Sequence, residues 1–237
     1  MDANEFYNTQ SVFKPKFPMP PDIDDEELVR WIYTQNIPFI EIDLDFDVSI
    51  WQQEAMLCHK YLVDHRENQP HLSWRSCVIH GIDTDKTGIW NSYFDTEPGY
   101  SWTSISKLTP TIKKFWEAFP FERLARVRFM QVGPQGYVYP HNDTPPNSDN
   151  LLDQIVPINI AIDHPDNCFM TLKGHGVVPW RDGEIKLVNI TNDHSVINFS
   201  DRPRMHMIGH GYVGNKLNEF TKLIAVSYRK QYERYRI

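Results

Sequence analysis

The chain has 237 residues, 41% hydrophobic and 23% charged, a balance that excludes collagen-like, coiled-coil and generally disordered chains. Its formal net charge of -7 excludes a whole-protein basic footprint for nucleic acid. The charge is uneven: residues 1–50 carry eleven acids against three bases, and residues 222–236 carry five bases against one acid. The basic end is therefore expected to be solvated or to pair with the acidic front half.

In chain order, residues 1–22 hold Pro15, Pro18, Pro20 and Pro21 without periodicity and read as an extended N-terminal arm. Asp24-Asp25-Glu26-Glu27 before Leu28, Trp31 and Ile32 predicts a short helix, with acids in its first turn. Alternation over 39–44 predicts a strand. Apolar residues at helical spacing predict a helix over 48–65 and another over about 105–118. From Leu124 the segments 124–132, 136–141, 155–162, 168–172, 176–180, 184–190, 194–199, 203–209 and 221–228 are short, β-rich and punctuated by Gly, Pro, Asn or Asp. Helices first and strands second imply a mainly β fold with flanking helices. The expected unit is a single domain over 23–237, a helical buttress at about 23–120 against a jelly-roll core at about 121–228. No apolar run approaches the length of a membrane span and the N-terminus lacks the pattern of a secretory signal. Cys58, Cys77 and Cys168 form no close pair in sequence and leave an odd thiol, which suits a reducing compartment. The expectation is a soluble, cytoplasmic protein without nucleic-acid or membrane partners; the sequence says nothing of its oligomeric state.

His141-Asn142-Asp143 closes a strand and opens a turn-rich loop. In extended chain, residues two apart share a side, so the imidazole and carboxylate can reach one metal ion. A third ligand has to come from later in the chain, where His164, His175, His194, His206 and His210 are candidates. His194 stands out because Arg204 follows ten residues on, just past the turn-like Ser200-Asp201-Arg202-Pro203. A strand, a turn and an antiparallel return would bring that arginine back beside the metal. Two histidines and one carboxylate with open positions opposite make the facial triad of non-haem Fe(II) oxygenases. A nearby guanidinium suits the distal carboxylate of a 2-oxoglutarate co-substrate.

Residues 99–210 resemble the aspartyl/asparaginyl/proline hydroxylase family of 2-oxoglutarate oxygenases. The matching pieces are Arg126-Val127-Arg128, Gly136 through Asp143, Val156-Pro157-Ile158-Asn159-Ile160, Gly183-Glu184, His194-x-Val196-x-Asn198 and Arg204. The resemblance implies a double-stranded β-helix (cupin-like jelly roll) with His141, Asp143 and His194 on Fe(II) and Arg204 on 2-oxoglutarate, with O2 as the oxidant. Some members place a histidine near Asn159 to help hold 2-oxoglutarate, a departure here in which the Asn159 amide could donate the hydrogen bond instead. Asp143 sets the site closer to the proline-hydroxylase branch, since some aspartyl β-hydroxylases lack the carboxylate ligand. Arg126 and Arg128 share one face of a strand. Pointing inward they would need anionic partners and suggest a substrate carboxylate; pointing outward they would be ordinary surface arginines. Trp90, Tyr93, Tyr100 and Trp102 precede the second helix and suit either core packing or a substrate-covering loop. The expected substrate is a small amino acid, proline-like. The alternatives are peptidyl Asp or Asn β-hydroxylation and a non-catalytic jelly-roll binding module.

Overall fold

The computed structural model describes residues 17–65, 71–84, 99–143 and 155–236; most of the N-terminal arm, Trp90 and Tyr93 lie outside them. Helix α1 (Asp25–Thr34) starts where the acids require, with the Asp24 carboxylate accepting from the Glu27 N–H at 2.8 Å. It buries Leu28, Val29 and Ile32. Strand β1 (Phe39–Glu41) follows. Helix α2 (Val48–Cys58) is capped by Asp47 and runs into a 3-10 turn, His59–Tyr61. It is shorter than the periodicity predicts because the chain turns extended at β2 (Val63–Asp64) to pair with β3 (Leu72–Gly81). The helix expected over 105–118 is split. After β4 (Ser101–Trp102), a 3-10 turn at Ser104–Leu108 ends at Thr109, and α3 (Pro110–Ala118) begins with proline in its first position.

The rest of the chain forms β5 (Arg123–His141), β6 (Ile155–Asp163), β7 (Cys168–Leu172), β8 (Gly176–Val178), β9 (Ile185–Val188), β10 (His194–Asn198) and β11 (Arg204–Tyr212). The pairings are antiparallel and run β1-β9-β6-β11-β5-β10-β7-β8, with β3 also on β5. One expectation fails here. β10 and β11 do not pair with each other as strand and return; both lie along β5, β11 against its first half and β10 against its second. The loop 199–203 joins β10 to β11 where their pairing passes over the β5 segment 133–136. The Asn198 amide pins this corner, donating to the carbonyls of Val132 (3.0 Å), Gly133 (3.1 Å) and Arg202 (2.7 Å). Gln135 adopts φ 56, and a Cβ on Gly136 would sit 2.8 Å from the carbonyls of Gly133 and Leu72. The result is a jelly roll, mainly β with flanking helices.

The strand expected over 221–228 is instead part of helix α4 (Leu217–Tyr235). Phe220, Ile224, Tyr228 and Gln231 recur every three or four residues and all bury on one side, so the 3.6-residue period outweighs local β-propensity. The helix straps the front of the molecule: Gln231 bonds the backbone of Phe39 and Glu41, and Tyr228 donates to the Pro18 carbonyl. Phe17, the first described residue, is buried against Phe39, Tyr228 and Tyr235. Cys58 and Cys77, distant in sequence, meet in the core as hydrogen-bonded thiols, and all three cysteines are free.

The sheet has a polar inside. Register places Arg126 opposite His210, Arg128 opposite Ile208 and Val132 opposite Arg204, so by alternation Arg126, Arg128, Arg204, His206 and His210 share one face. The other face carries Val127, Phe129, Met207 and Gly209 and is covered by α3. Trp116 lies so close on Gly209 that a Cβ there would enter its ring, and its indole N–H points at the Met207 sulfur at 3.2 Å. Among the described residues, no helix is long and apolar enough to cross a membrane.

Candidate metal centre

His141 ends β5 and His194 opens β10, and the two are directly paired in the ladder. Asp143 lies two residues beyond His141, where its N–H donates to the Ile190 carbonyl at 3.3 Å. Among the described residues these three form the one group whose ligand atoms, one each, all lie within 4.8 Å of one another. Each imidazole Nε2 is 3.8 Å from Asp143 Oδ2.

The tautomers follow from the other ring nitrogens. His141 Nδ1 lies 2.8 Å from the Tyr139 carbonyl and His194 Nδ1 lies 3.1 Å from the Asn192 carbonyl. A carbonyl only accepts, so both Nδ1 atoms carry hydrogen, the tautomer that in a neutral ring leaves Nε2 bare and facing the carboxylate. That is the outer support that metal-bound histidines use. Burial, and then the neighbouring His141, bring the pKa of His194 down to about 4, which keeps it neutral. Two imidazole Nε2 atoms and a carboxylate oxygen converge on one point. Such a cluster of acceptors is satisfied by a cation, and the donor set suits Fe(II).

The loop behind these ligands is laced down. Asn142 donates to Asp193 at 3.1 Å, Lys173 reaches the same carboxylate at 3.2 Å, and Asn36 bonds both Asn189 and Asn192. Trp74 and His71 of the β3 edge stand beside His141, ring centroids 6.2 Å and 6.0 Å away.

Arg204 lies at the corner, at the start of β11 rather than next to His194. It is buried (4% exposed), and among the described residues no carboxylate pairs with it. Its Nη2 donates to His206 Nδ1 at 2.7 Å and its Nε has no partner. Burial lowers its pKa to about 10, still well above neutrality, so it stays charged. A buried guanidinium with an unspent donor fits a carboxylate ligand. Asn159 is buried on β6 with Ile208 and Lys186 as cross-strand neighbours. Arg126 and Arg128 point inward and are buried. Burial, then the charges of these two arginines, hold His210 well below its ordinary pKa.

Sequence reasoning missed two features. Lys186 is fully buried between Glu41 (3.0 Å) and Glu184 (2.9 Å) and lies against the faces of Phe39 and Trp180. Burial raises the Glu41 pKa, but Lys186, Tyr235 and Arg234 together outweigh it and hold the carboxyl below its usual range. The only sequence signal was a lysine between apolar strand residues. The second feature is the pairing of two of the candidate ligand histidines with each other: His164 Nδ1 lies 2.8 Å from His206 Nε2, and His164 Nε2 lies 3.0 Å from the Cys168 carbonyl.

A profile of the aspartyl/asparaginyl beta-hydroxylase family matches residues 53–210. The chain belongs to this family. As a member it is an enzyme of the hydroxylase class. Among solved structures, it shares its fold with the non-haem α-ketoglutarate-dependent carbocyclase SnoK from nogalamycin biosynthesis, at TM-score 0.52 and 11% identity over 84% of this chain and 88% of that one. The epimerase SnoN from the same biosynthesis aligns at TM-score 0.49 and 14% identity, over 80% and 86% of the two chains. A Pseudomonas putida prolyl-4-hydroxylase aligns at 0.44 and 13%, over 79% and 97%. No curated protein matches the sequence.

Proposed function

We propose that this hydroxylase acts on an unactivated C–H of a small, proline-like amino acid, with His141, Asp143 and His194 holding Fe(II) and Arg204 receiving the distal carboxylate of 2-oxoglutarate. The observation that carries the reading is the convergence of two imidazoles and a carboxylate, with one ligand atom each, within 4.8 Å, backed by a buried arginine whose Nε has no partner. When bound, the iron couples decarboxylation of 2-oxoglutarate to succinate and CO2 with oxygen insertion into the C–H bond. The protein's own residues hold the ligand nitrogens in register, keep the buried His194 imidazole neutral, and supply a fixed positive charge for the co-substrate. Asn159 is proposed as a hydrogen-bonding neighbour of 2-oxoglutarate, and residues 23–237 as one catalytic domain.

Arg126 and Arg128 are proposed to hold the substrate carboxylate; their inward, buried placement supports this. A second reading, hydroxylation of an Asp or Asn side chain in a peptide, is favoured by the description of the matching family. Anaerobic addition of 2-oxoglutarate to the Fe(II) protein is expected to produce a visible charge-transfer band, and Arg204→Ala to weaken it roughly 100-fold in 2-oxoglutarate concentration. Absence of the band in the wild type rejects the oxygenase assignment of these residues. Succinate formation stimulated by free amino acids, with a raised KM in Arg126 or Arg128 variants, supports the first substrate reading. Stimulation by end-blocked peptides alone replaces it with the second.

A further inference from the structure

We infer that His206 and His164 form a neutral imidazole relay whose purpose is to hold Arg204 in place without cancelling its charge. The inference rests on the reading of Arg204 as the 2-oxoglutarate anchor and names the residues that make it one.

The direction of every proton in the relay is fixed by its two ends. Arg204 can only donate, so His206 Nδ1, 2.7 Å from Nη2, must be bare. The hydrogen of His206 therefore sits on Nε2 and points at His164 Nδ1, 2.8 Å away, which must also be bare. His164 then carries its hydrogen on Nε2 and donates it to the Cys168 carbonyl at 3.0 Å, which can only accept. A proton added to either ring would set two donors face to face beside a cation. The surroundings oppose that as well. His206 is fully buried and Trp180 packs on its ring at 4.7 Å. Arg204 and Lys186 both bear on the two rings, and burial followed by the Arg204 charge brings His164 down to about 3.

A buried arginine elsewhere in a protein is ordinarily met by Asp or Glu, which orients it and neutralises it together. Here the orienting acceptor is a neutral lone pair two residues along the same strand. One edge of the fork is fixed while the full positive charge and the Nε donor stay available to an incoming carboxylate. The relay also explains two histidines that the metal centre does not use.

The claim separates from a merely structural role by charge. His206→Gln keeps a neutral acceptor, whereas His206→Glu offers Arg204 an ion pair of similar size. Binding of 2-oxoglutarate to the Mn(II)-loaded protein is read by calorimetry, with Mn(II) affinity and thermal unfolding measured alongside. His206→Gln is expected to bind 2-oxoglutarate within about fivefold of wild type. His206→Glu should weaken it at least 50-fold, with Mn(II) affinity unchanged and unfolding temperature no lower than that of His206→Gln. Equal 2-oxoglutarate affinity in the two variants overturns the relay while leaving the Arg204 reading intact if Arg204→Ala still loses binding. Normal binding in Arg204→Ala overturns both. Should His206→Glu not fold, the wild-type protein decides the matter by imidazole 15N NMR. Both rings must appear as neutral Nε2–H tautomers at pH 7, and a protonated ring or the opposite tautomer at either position overturns the inference.

Discussion

His141 and His194 each bond a backbone carbonyl two residues earlier through Nδ1, so the chain that supplies each ligand also selects its tautomer. The ring orientation of each ligand is thus set locally, while β10 pairing on β5 brings the two rings together. His141→Ala and His194→Ala are expected to abolish Fe(II) binding and turnover without a large loss of fold. Asp143→Ala, which removes the one exposed ligand of the three, is expected to retain a weakened site. Metal titration of the three variants against wild type checks this order, and wild-type affinity in the double histidine variant would remove the metal centre from these residues. Lys186 is the contrasting case, a buried cation already spent on two carboxylates, whereas Arg204 keeps its charge.

At the scale of elements, helix α3 depends on a side chain from another helix. Thr109 makes no side-chain cap, and the first free N–H groups of α3 are met by Glu54 of α2, whose two carboxylate oxygens accept from Thr111 N (2.8 Å) and Ile112 N (3.0 Å). A buried carboxylate at a helix N-terminus satisfies those donors and the helix dipole together. Glu54→Ala strands both donors and is expected to cost about 2–4 kcal/mol. Glu54→Gln, which keeps one acceptor, should cost less than half of that. Urea unfolding of the two variants checks it, and equal costs would mean that packing rather than capping holds the helix. Because α3 carries Trp116 onto Gly209, its loss would also uncover the outer face of the strand that bears Arg204.

Across the whole molecule, the acidic front and the basic end meet as the charge asymmetry suggests: Arg229 pairs with Asp25, Lys230 with Asp43 and Arg234 with Glu41. The basic partners are largely exposed, so these pairs contribute little. Buried contacts of α4 do more. Tyr228→Ala is expected to destabilise by about 3–5 kcal/mol, while 0.5 M salt, roughly several times physiological ionic strength, shifts the unfolding midpoint only slightly. A large salt effect would reverse that ranking. The buried histidines set the pH response. Burial keeps His80, His164, His206 and His210 below the ordinary 6.5, His164 at about 3. The unfolded chain takes up protons below about pH 6.5 that the folded one refuses. Stability is therefore full above that pH and is lost as pH falls toward 3, by up to about 1.4 kcal/mol per pH unit for His164 alone. Denaturant unfolding at pH 7.5 and 5.0 should show a clear drop at the lower pH, and a flat profile would contradict the neutral assignments.

The metal ligands were legible in the sequence because a His-x-Asp pair at a strand end is a local pattern, and period-two spacing already sets both groups on one side. Short alternating segments likewise announced a jelly roll, and the acidic turn before Leu28 announced α1. Other features depended on contacts that no local window contains. Whether Arg126 and Arg128 faced in or out depended on which face α3 covers, where Gly209 admits the Trp116 ring of α3 and Gly211 the Phe121 ring just past its end. Arg204 reaches the interior by continuing along β5 past a pinned corner, not by a hairpin return, because Asn198 ties that corner to β5 backbone far away in sequence. For 217–235 the helical period of Phe220, Ile224, Tyr228 and Gln231 was present in the sequence but extends beyond the 221–228 window, where β-propensity dominates. His164 and His206 became partners only when β6 and β11 came side by side. Hydrogen-bond direction between two rings is a property of their meeting, and the sequence holds each ring without its partner.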